Sequence, residues 1–192
     1  MNKIRCFIAI ELPVTAKKVL SHIQYSLQRH ELPRIKWVSV PNIHLTVRFL
    51  GNVAPEIVAS ITKTIDDLSR KIRPFNLQLG NLGAFPNLKD PQVLWIGLKG
   101  EVAKLITLQQ SLDGELAKLG FTREIRAYQP HLTLARLGNK VTRTERQRVG
   151  DLVSGTVPEN DYEIKVDAIY LIKSQLTPNG PIYHQLHTAH FT

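Results

Sequence analysis

Two histidine–threonine pairs are the residues of this chain best suited to chemistry. The sequence HLTVRFLG at residues 44–51 returns as HLTLARLG at residues 131–138, with five of eight positions identical. Apolar residues alternate with the His and the Thr in each copy, which predicts a β-strand. Side chains two positions apart on a strand share a face at roughly 6.6 Å. Two such strands could supply one acid, one base and two hydrogen-bond donors around a single reacting group.

A purely structural role is the alternative for either copy taken alone. A single His-x-Thr is commonly a part-buried strand histidine beside a β-branched neighbour. Strand packing would also accept Val, Ile or Tyr at the His position, and burying an unpaired imidazole costs free energy. The repetition therefore favours a shared chemical role for His44, Thr46, His131 and Thr133.

The paired motifs resemble those of the two-histidine phosphoesterases, specifically the RNA 2′,3′-cyclic phosphodiesterases, also called 2′-5′ RNA ligases. Other segments fit the same family in order along the chain. They are RCFIAI at 5–10, Trp37-Val38, Phe85-Pro86, VLWIG at 93–97, Pro130, SQL at 174–176 and GPIY at 180–183. The resemblance covers nearly the whole chain and is more specific than either motif alone.

The resemblance implies an enzyme that opens a terminal 2′,3′-cyclic phosphate to a 2′-phosphate, with 2′-5′ RNA ligation as a second activity. One neutral imidazole would deprotonate water and one protonated imidazole would protonate the leaving oxygen; the ordinary His pKa of about 6.5 allows both states. We assign the acid to His44 and the base to His131, although the near-symmetry of the motifs gives no independent reason for this order. Thr46 and Thr133 would donate hydrogen bonds to phosphoryl oxygens. No metal or cofactor is expected, because the motifs contain no carboxylate.

Three flanking residues are further candidates for substrate binding. Arg136 matches a family position that contacts phosphate, yet strict alternation turns it away from His131 unless the strand bulges. Arg48 has the right parity to share a face with His44. Phe49 could stack on a base, with a core position as its alternative. We therefore rank Arg136 first on resemblance and Arg48 second on geometry.

Composition favours one basic domain with a polyanionic partner. The chain has 192 residues, 43% of them hydrophobic, and 25 basic against 16 acidic residues give a formal charge of +9. Such a charge suits RNA, with a generally basic surface as the alternative. The expected partner is RNA with 2′,3′-cyclic phosphate ends, such as tRNA fragments. We expect a cytoplasmic protein without membrane contact, because no targeting segment or long apolar run is visible. We also expect a monomer.

The pattern of elements predicts an α+β fold with antiparallel sheets. Predicted helices cover 14–29, 55–71, 101–119 and 142–153. Predicted strands cover 3–11, 35–39, 42–50, 74–80, 93–99, 122–127, 130–137, 162–173 and 181–187. One motif falls in each half, which is typical of an internal duplication within a single two-lobed domain spanning 1–192. The resemblance implies two pseudo-symmetric lobes, each an antiparallel sheet with outer helices, around a central cleft bordered by the loop 80–92.

Two other functions remain open from the sequence. The first is a non-catalytic, basic RNA-binding protein whose histidines are structural, although simple binding requires no repeated His and Thr. The second is a phosphodiesterase of the same superfamily that acts on a small cyclic nucleotide. Turnover of a cyclic-phosphate RNA separates the first from an enzyme, and the preferred substrate separates the second.

Overall fold

A computed structural model describes residues 3–30, 34–158, 162–178 and 180–192. Within these ranges the chain forms nine strands and four α-helices. In chain order they are β1 (Ile4–Ile10), α1 (Val14–Gln28), β2 (Ile35–Trp37), β3 (Leu45–Val53), α2 (Val58–Ser69), β4 (Phe75–Phe85), β5 (Val93–Gly100), α3 (Val102–Lys118), β6 (His131–Leu137), α4 (Arg143–Gly155), β7 (Glu163–Val166), β8 (Ala168–Thr177) and β9 (Gly180–His190).

The strands form one antiparallel sheet that divides into two groups. Its order is β7-β4-β5-β6-β3-β1-β8-β9, and β2 also pairs with β6. Where β3 meets β6, only Leu45 and Leu132 are paired in register among the described residues. We call β1, β3, β8 and β9 lobe A, and β2 with β4–β7 lobe B. Each lobe contributes one His-x-Thr strand, and the α+β fold with two antiparallel lobes is confirmed.

The helices cover one face of the sheet and leave the other face open. Ile4, Cys6, Ile8 and Ile10 on β1 pack in the main core, together with the apolar stripes of α1, α2 and α3. α4 packs Val149 and Val153 against a second group of strand residues on this same face. The opposite face of lobe A carries a separate small cluster of strand residues: Phe7, Ala9 and Ile172, with Tyr170 and Tyr183 beside them.

Local sequence accounts for several element boundaries. Thr142 caps α4, because its hydroxyl accepts from the Glu145 amide while the Glu145 carboxylate accepts from the Thr142 amide at 2.7 Å. β4 extends through Gly80 to Phe85, into the segment predicted as a loop. Glycine at position 83 makes this possible, since a Cβ there would lie 2.3 Å from the Trp95 indole that covers it.

The predicted strand at 122–127 is wrong, because this segment forms a loop. Its alternation suggested a strand, but Ile125 is 94% exposed and has no sheet partner. The Glu124 amide instead donates to the Asp113 carboxylate on α3 at 3.3 Å. Side-chain contacts to α3 therefore decide the path of this segment. No helix in the described part of the chain is long and apolar enough to cross a membrane.

Candidate active site

The two His-x-Thr strands lie side by side and antiparallel where the lobes meet. Leu45 of β3 pairs with Leu132 of β6. Continuing that register sets His44 towards Thr133 and Thr46 towards His131. This register brings the two His-x-Thr pairs next to each other on the open face of the sheet. The Leu45–Leu132 pair marks the pseudo-twofold axis that relates the two halves.

Each imidazole is fixed by the carbonyl two residues before it. Nδ1 of His44 lies 2.8 Å from the Asn42 carbonyl oxygen, and Nδ1 of His131 lies 2.7 Å from that of Gln129. A carbonyl only accepts, so each Nδ1 carries a hydrogen and donates it. Nε2 is then the free nitrogen of both rings, able to take or give a proton.

Aromatic rings flank both imidazoles. Phe7 stacks on His44 with 4.7 Å between ring centroids, and Tyr183 meets the same imidazole edge-on at 5.2 Å. In lobe B, Phe85 meets His131 edge-on at 4.9 Å. These contacts restrict rotation of the imidazoles and exclude water from one side of each ring.

Burial among these rings lowers the pKa of both histidines. Desolvation is the largest cause for His44 and for His131, because it disfavours the charged imidazolium. The carbonyl that accepts from Nδ1 acts in the opposite direction in each case and raises the pKa. A nearby cation lowers the pKa further: Lys17 for His44 and Arg136 for His131. A bound phosphate anion would reverse part of this lowering.

Both motif strands carry a β-bulge immediately after the Thr. In lobe A, Ala9 pairs with Thr46 and Ile8 with Arg48, so Val47 is the extra residue. In lobe B, Trp95 pairs with Thr133 and Leu94 with Ala135. The extra residue there stands at the matching motif position. Because a bulge shifts the alternation by one, the side chains that follow change faces.

The lobe B bulge turns Arg136 onto the open face. Its strand partner there is Val93 of β5. Its charge reaches both sides of the site. It adds to the lowering of the His131 pKa that burial causes, and it offsets part of the rise that burial causes in the pKa of Tyr183 from lobe A. Strict alternation predicted the opposite face for Arg136, and the bulge resolves that conflict with the resemblance.

The lobe A bulge turns Arg48 away from the site, so the parity argument for Arg48 is wrong. Its Nε lies 2.7 Å from Asp113 Oδ1 on α3, and its side chain is only 10% exposed. The same guanidinium donates to the Thr122 carbonyl. Arg48 therefore ties β3 to α3 and to the loop that leads into the second motif, and in this conformation it is not placed to contact a substrate.

Phe49 lies on the open face, which excludes its core alternative. It is 61% exposed, and its ring centroid lies 6.1 Å from that of Phe7, its strand partner. The two rings form an apolar surface beside His44.

One contact at the site was not predicted from the sequence. The Tyr128 hydroxyl donates to the Thr46 carbonyl at 2.8 Å. Tyr128 precedes the lobe B motif and Thr46 belongs to the lobe A motif, so this bond joins the two halves. Burial raises the pKa of Tyr128, which keeps the hydroxyl protonated and donating at neutral pH.

The C-terminal histidines lie apart from this site. His187 Nε2 is 2.7 Å from Asp66 Oδ1 on α2, and His184 contacts Gln175 at 3.2 Å. Among residues 3–30, 34–158, 162–178 and 180–192, no three His, Cys, Asp or Glu side chains group as metal ligands.

Comparison with known proteins gives consistent matches over most of the chain. The family model described as the 2′-5′ RNA ligase superfamily matches residues 13–178. The RNA 2′,3′-cyclic phosphodiesterase of Methanocaldococcus jannaschii is 36% identical over 183 residues, 93% of this chain and 96% of the relative. The enzyme of that name from Methanothermobacter thermautotrophicus is 32% identical over 94% of this chain and 95% of its own.

Solved structures give the same result. E. coli LigT complexed with 3′-AMP superposes with a TM-score of 0.75 at 26% identity, covering 99% of both chains. LigT complexed with NADP⁺ gives a TM-score of 0.74 at 25% identity, covering 100% of this chain and 99% of LigT. With its two matched His-x-Thr strands, its sheet and these relatives, the chain belongs to the 2′-5′ RNA ligase superfamily.

Proposed function

We propose that this protein is a metal-independent RNA 2′,3′-cyclic phosphodiesterase that leaves a 2′-phosphate. The observation that carries the proposal is the pair of imidazoles fixed alike through Nδ1, each beside a motif threonine. The curated relatives of similar length are named for this activity. Histidines with a purely structural role would not need to present both Nε2 atoms on the same open face, where a substrate can reach them.

The two imidazoles act on opposite sides of the phosphorus. Nε2 of His131 takes a proton from water, and the resulting hydroxide oxygen bonds to phosphorus. The bond from phosphorus to O3′ breaks, and Nε2 of His44 gives its proton to O3′. Each such transfer by a positioned group accelerates a reaction by about 10²–10⁴-fold. The two histidines end in exchanged protonation states and reset by proton exchange with solvent.

The remaining side chains of the open face bind the substrate. Thr46 and Thr133 donate to the non-bridging oxygens, where charge accumulates, and each contributes at most about 2.7–4 kcal/mol if it behaves like one oxyanion donor. The charge of Arg136 holds the phosphate next to His131. Phe49 stacks on the base of the terminal nucleotide.

The same site suits ligation if a ribose hydroxyl replaces the attacking water. We further propose RNA with cyclic phosphate ends, such as tRNA fragments, as the substrate, and a cytoplasmic monomer formed by a single two-lobed domain spanning 1–192. The formal charge of +9 supports an RNA substrate, because each neutralised phosphate releases counterions.

The test is turnover of an oligoribonucleotide ending in a 2′,3′-cyclic phosphate, with EDTA present. We expect a 2′-phosphate product, identified by ³¹P NMR and by resistance to a 3′-phosphate-specific phosphatase. His44→Ala and His131→Ala should each remove nearly all turnover with the fold intact, whereas the control His30→Ala should not. Recovery of 3′-phosphate ends would overturn the assigned cleavage direction.

Two results would favour the alternative functions. RNA binding without any turnover would indicate a binding protein with structural histidines. A higher kcat/KM for a small cyclic nucleotide than for the oligonucleotide would indicate a different substrate within the same superfamily.

A further inference from the structure

Arg5, Asn52 and Ser174 form a polar row on the open face of lobe A. None of these residues has a role in the proposed reaction. Along β1, Ile4, Cys6 and Ile8 pack in the main core. Arg5 alternates with them and therefore shares the open face with Phe7, which stacks on His44. Arg5 is exposed, and across the described ranges it forms no ion pair. The charged guanidinium of Arg5 thus lies two residues along β1 from Phe7, whose ring stacks on His44.

Strand pairing completes the row on both sides of Arg5. Asn52 of β3 is its partner in register. On the other side Cys6 pairs with Lys173, so continuing that register sets Arg5 beside Ser174, which pairs in turn with Tyr183. The row brings together three segments that the sequence singled out without a role: RCFIAI at 5–10, SQL at 174–176 and GPIY at 180–183.

The row lies next to the apolar surface formed by Phe7 and Phe49. Same-face neighbours on β1 are roughly 6.6 Å apart, which is the step from Phe7 to Arg5. Burial raises the pKa of Tyr183, and the charges of Arg136 from the other lobe and of Arg5 offset part of that rise. Two cations therefore lie around the Tyr183 ring, one towards the histidines and one away from them.

We propose that Arg5, with Asn52 and Ser174 beside it, binds the phosphate on the 5′ side of the terminal nucleotide. This inference rests on the proposed function, because it takes the reacting phosphate to lie between the histidines. The terminal base then stacks on Phe49, and the ribose spans from the histidines to the polar row. Arginine suits this role, because its fork of donors binds two phosphate oxygens at once.

The consequence is a preference for substrates that carry this phosphate. A nucleoside 2′,3′-cyclic phosphate has no group to occupy the row, whereas every RNA chain has one. Charge-assisted hydrogen bonds are roughly twice as strong as neutral ones, so an added 5′-phosphate should lower KM by about tenfold or more.

The test compares adenosine 2′,3′-cyclic phosphate with the same compound carrying a 5′-phosphate. In the wild type the ratio of the two KM values should be about ten or more, and in Arg5→Gln it should fall towards one. Arg5→Lys should give an intermediate ratio of the two KM values, because lysine keeps the positive charge but lacks the planar set of donors that binds two phosphate oxygens. Arg29→Ala, at the exposed end of α1, is the matched control and should keep the wild-type ratio.

The ratio separates phosphate binding from a general effect on the fold, since the two substrates share every other contact. A wild type with no preference, or an Arg5→Gln variant with an unchanged ratio, would overturn the assignment of Arg5 while leaving the phosphodiesterase intact. Failure of the wild type to open either compound or a longer cyclic-phosphate RNA would instead overturn the proposed function and this inference with it.

Discussion

Replacement of Tyr128 by Phe tests whether the bond between the two motifs stabilises the site. The change removes one hydroxyl and leaves the ring. The Thr46 carbonyl then loses its 2.8 Å partner in a part-buried position, at the junction where β3 and β6 share one registered pair. Few backbone contacts remain there to compensate.

The expected cost follows from the loss of one partner of a part-buried hydrogen bond. A buried acceptor left without its hydrogen bond destabilises the native state by about 1–3 kcal/mol. Because Thr46 also donates to the phosphate in the proposed reaction, a shift of its backbone should lower kcat more than it raises KM. A misplacement of this kind costs up to about 10²-fold in rate.

Urea denaturation and steady-state kinetics measure the two effects on the same preparations. Tyr25→Phe is the matched control, because Tyr25 is 66% exposed and loss of its hydroxyl should change the free energy of unfolding by less than about 0.5 kcal/mol. If Tyr128→Phe unfolds at the same urea concentration as Tyr25→Phe and retains full kcat, the bond does not support the site.

Three further changes test other parts of the structure. Gly83→Ala should destabilise the protein by about 1–3 kcal/mol in urea, because its Cβ must displace the Trp95 indole. Thr142→Ala should cost about 0.5–2 kcal/mol through loss of the α4 cap, measured the same way. Burial lowers the pKa of His44 and His131 below 6.5, so above that pH the singly protonated free enzyme becomes scarcer, and kcat/KM should fall about tenfold per pH unit.

Each of these has its own check. Gly155→Ala is the control for the glycine, because its added Cβ meets nothing within 4 Å, and equal effects at the two positions would contradict the packing argument. Unchanged stability of Thr142→Ala would show that the capping box contributes little to the fold. A plateau of kcat/KM between pH 6.5 and 8 would show that the free enzyme keeps an imidazole protonated despite burial.

The sequence predicted the elements well where hydrophobic spacing decides them. The apolar stripes of the four helices and the positions of the two motif strands are set by local pattern, and the structure confirms these elements within a few residues. The α4 boundary was equally predictable, because Thr142 and Glu145 form their cap within one turn.

The sequence could not predict what depends on register. A bulge after each motif threonine reverses the faces of Arg48 and Arg136. A pattern of strict alternation does not show where a strand contains one extra residue. The bond from Tyr128 to Thr46 likewise requires that β3 and β6 be neighbours, which local pattern does not specify. The segment 122–127 failed for a related reason, because its path is decided by Asp113 on a distant helix.

The paired bulges also decide how a nearly symmetric site can accept an asymmetric ligand. They bring the sixth residue of each motif onto the open face, where the two motifs offer opposite chemistry: an aromatic ring from Phe49 and a cation from Arg136. The histidines and threonines by themselves would accept a ligand in either of two orientations related by the pseudo-twofold axis. A nucleotide has an apolar end and an anionic end, so one orientation satisfies both halves and the reverse satisfies neither. In the proposed reaction, the direction of cleavage is thus selected by residues other than the histidines and threonines assigned to the chemistry.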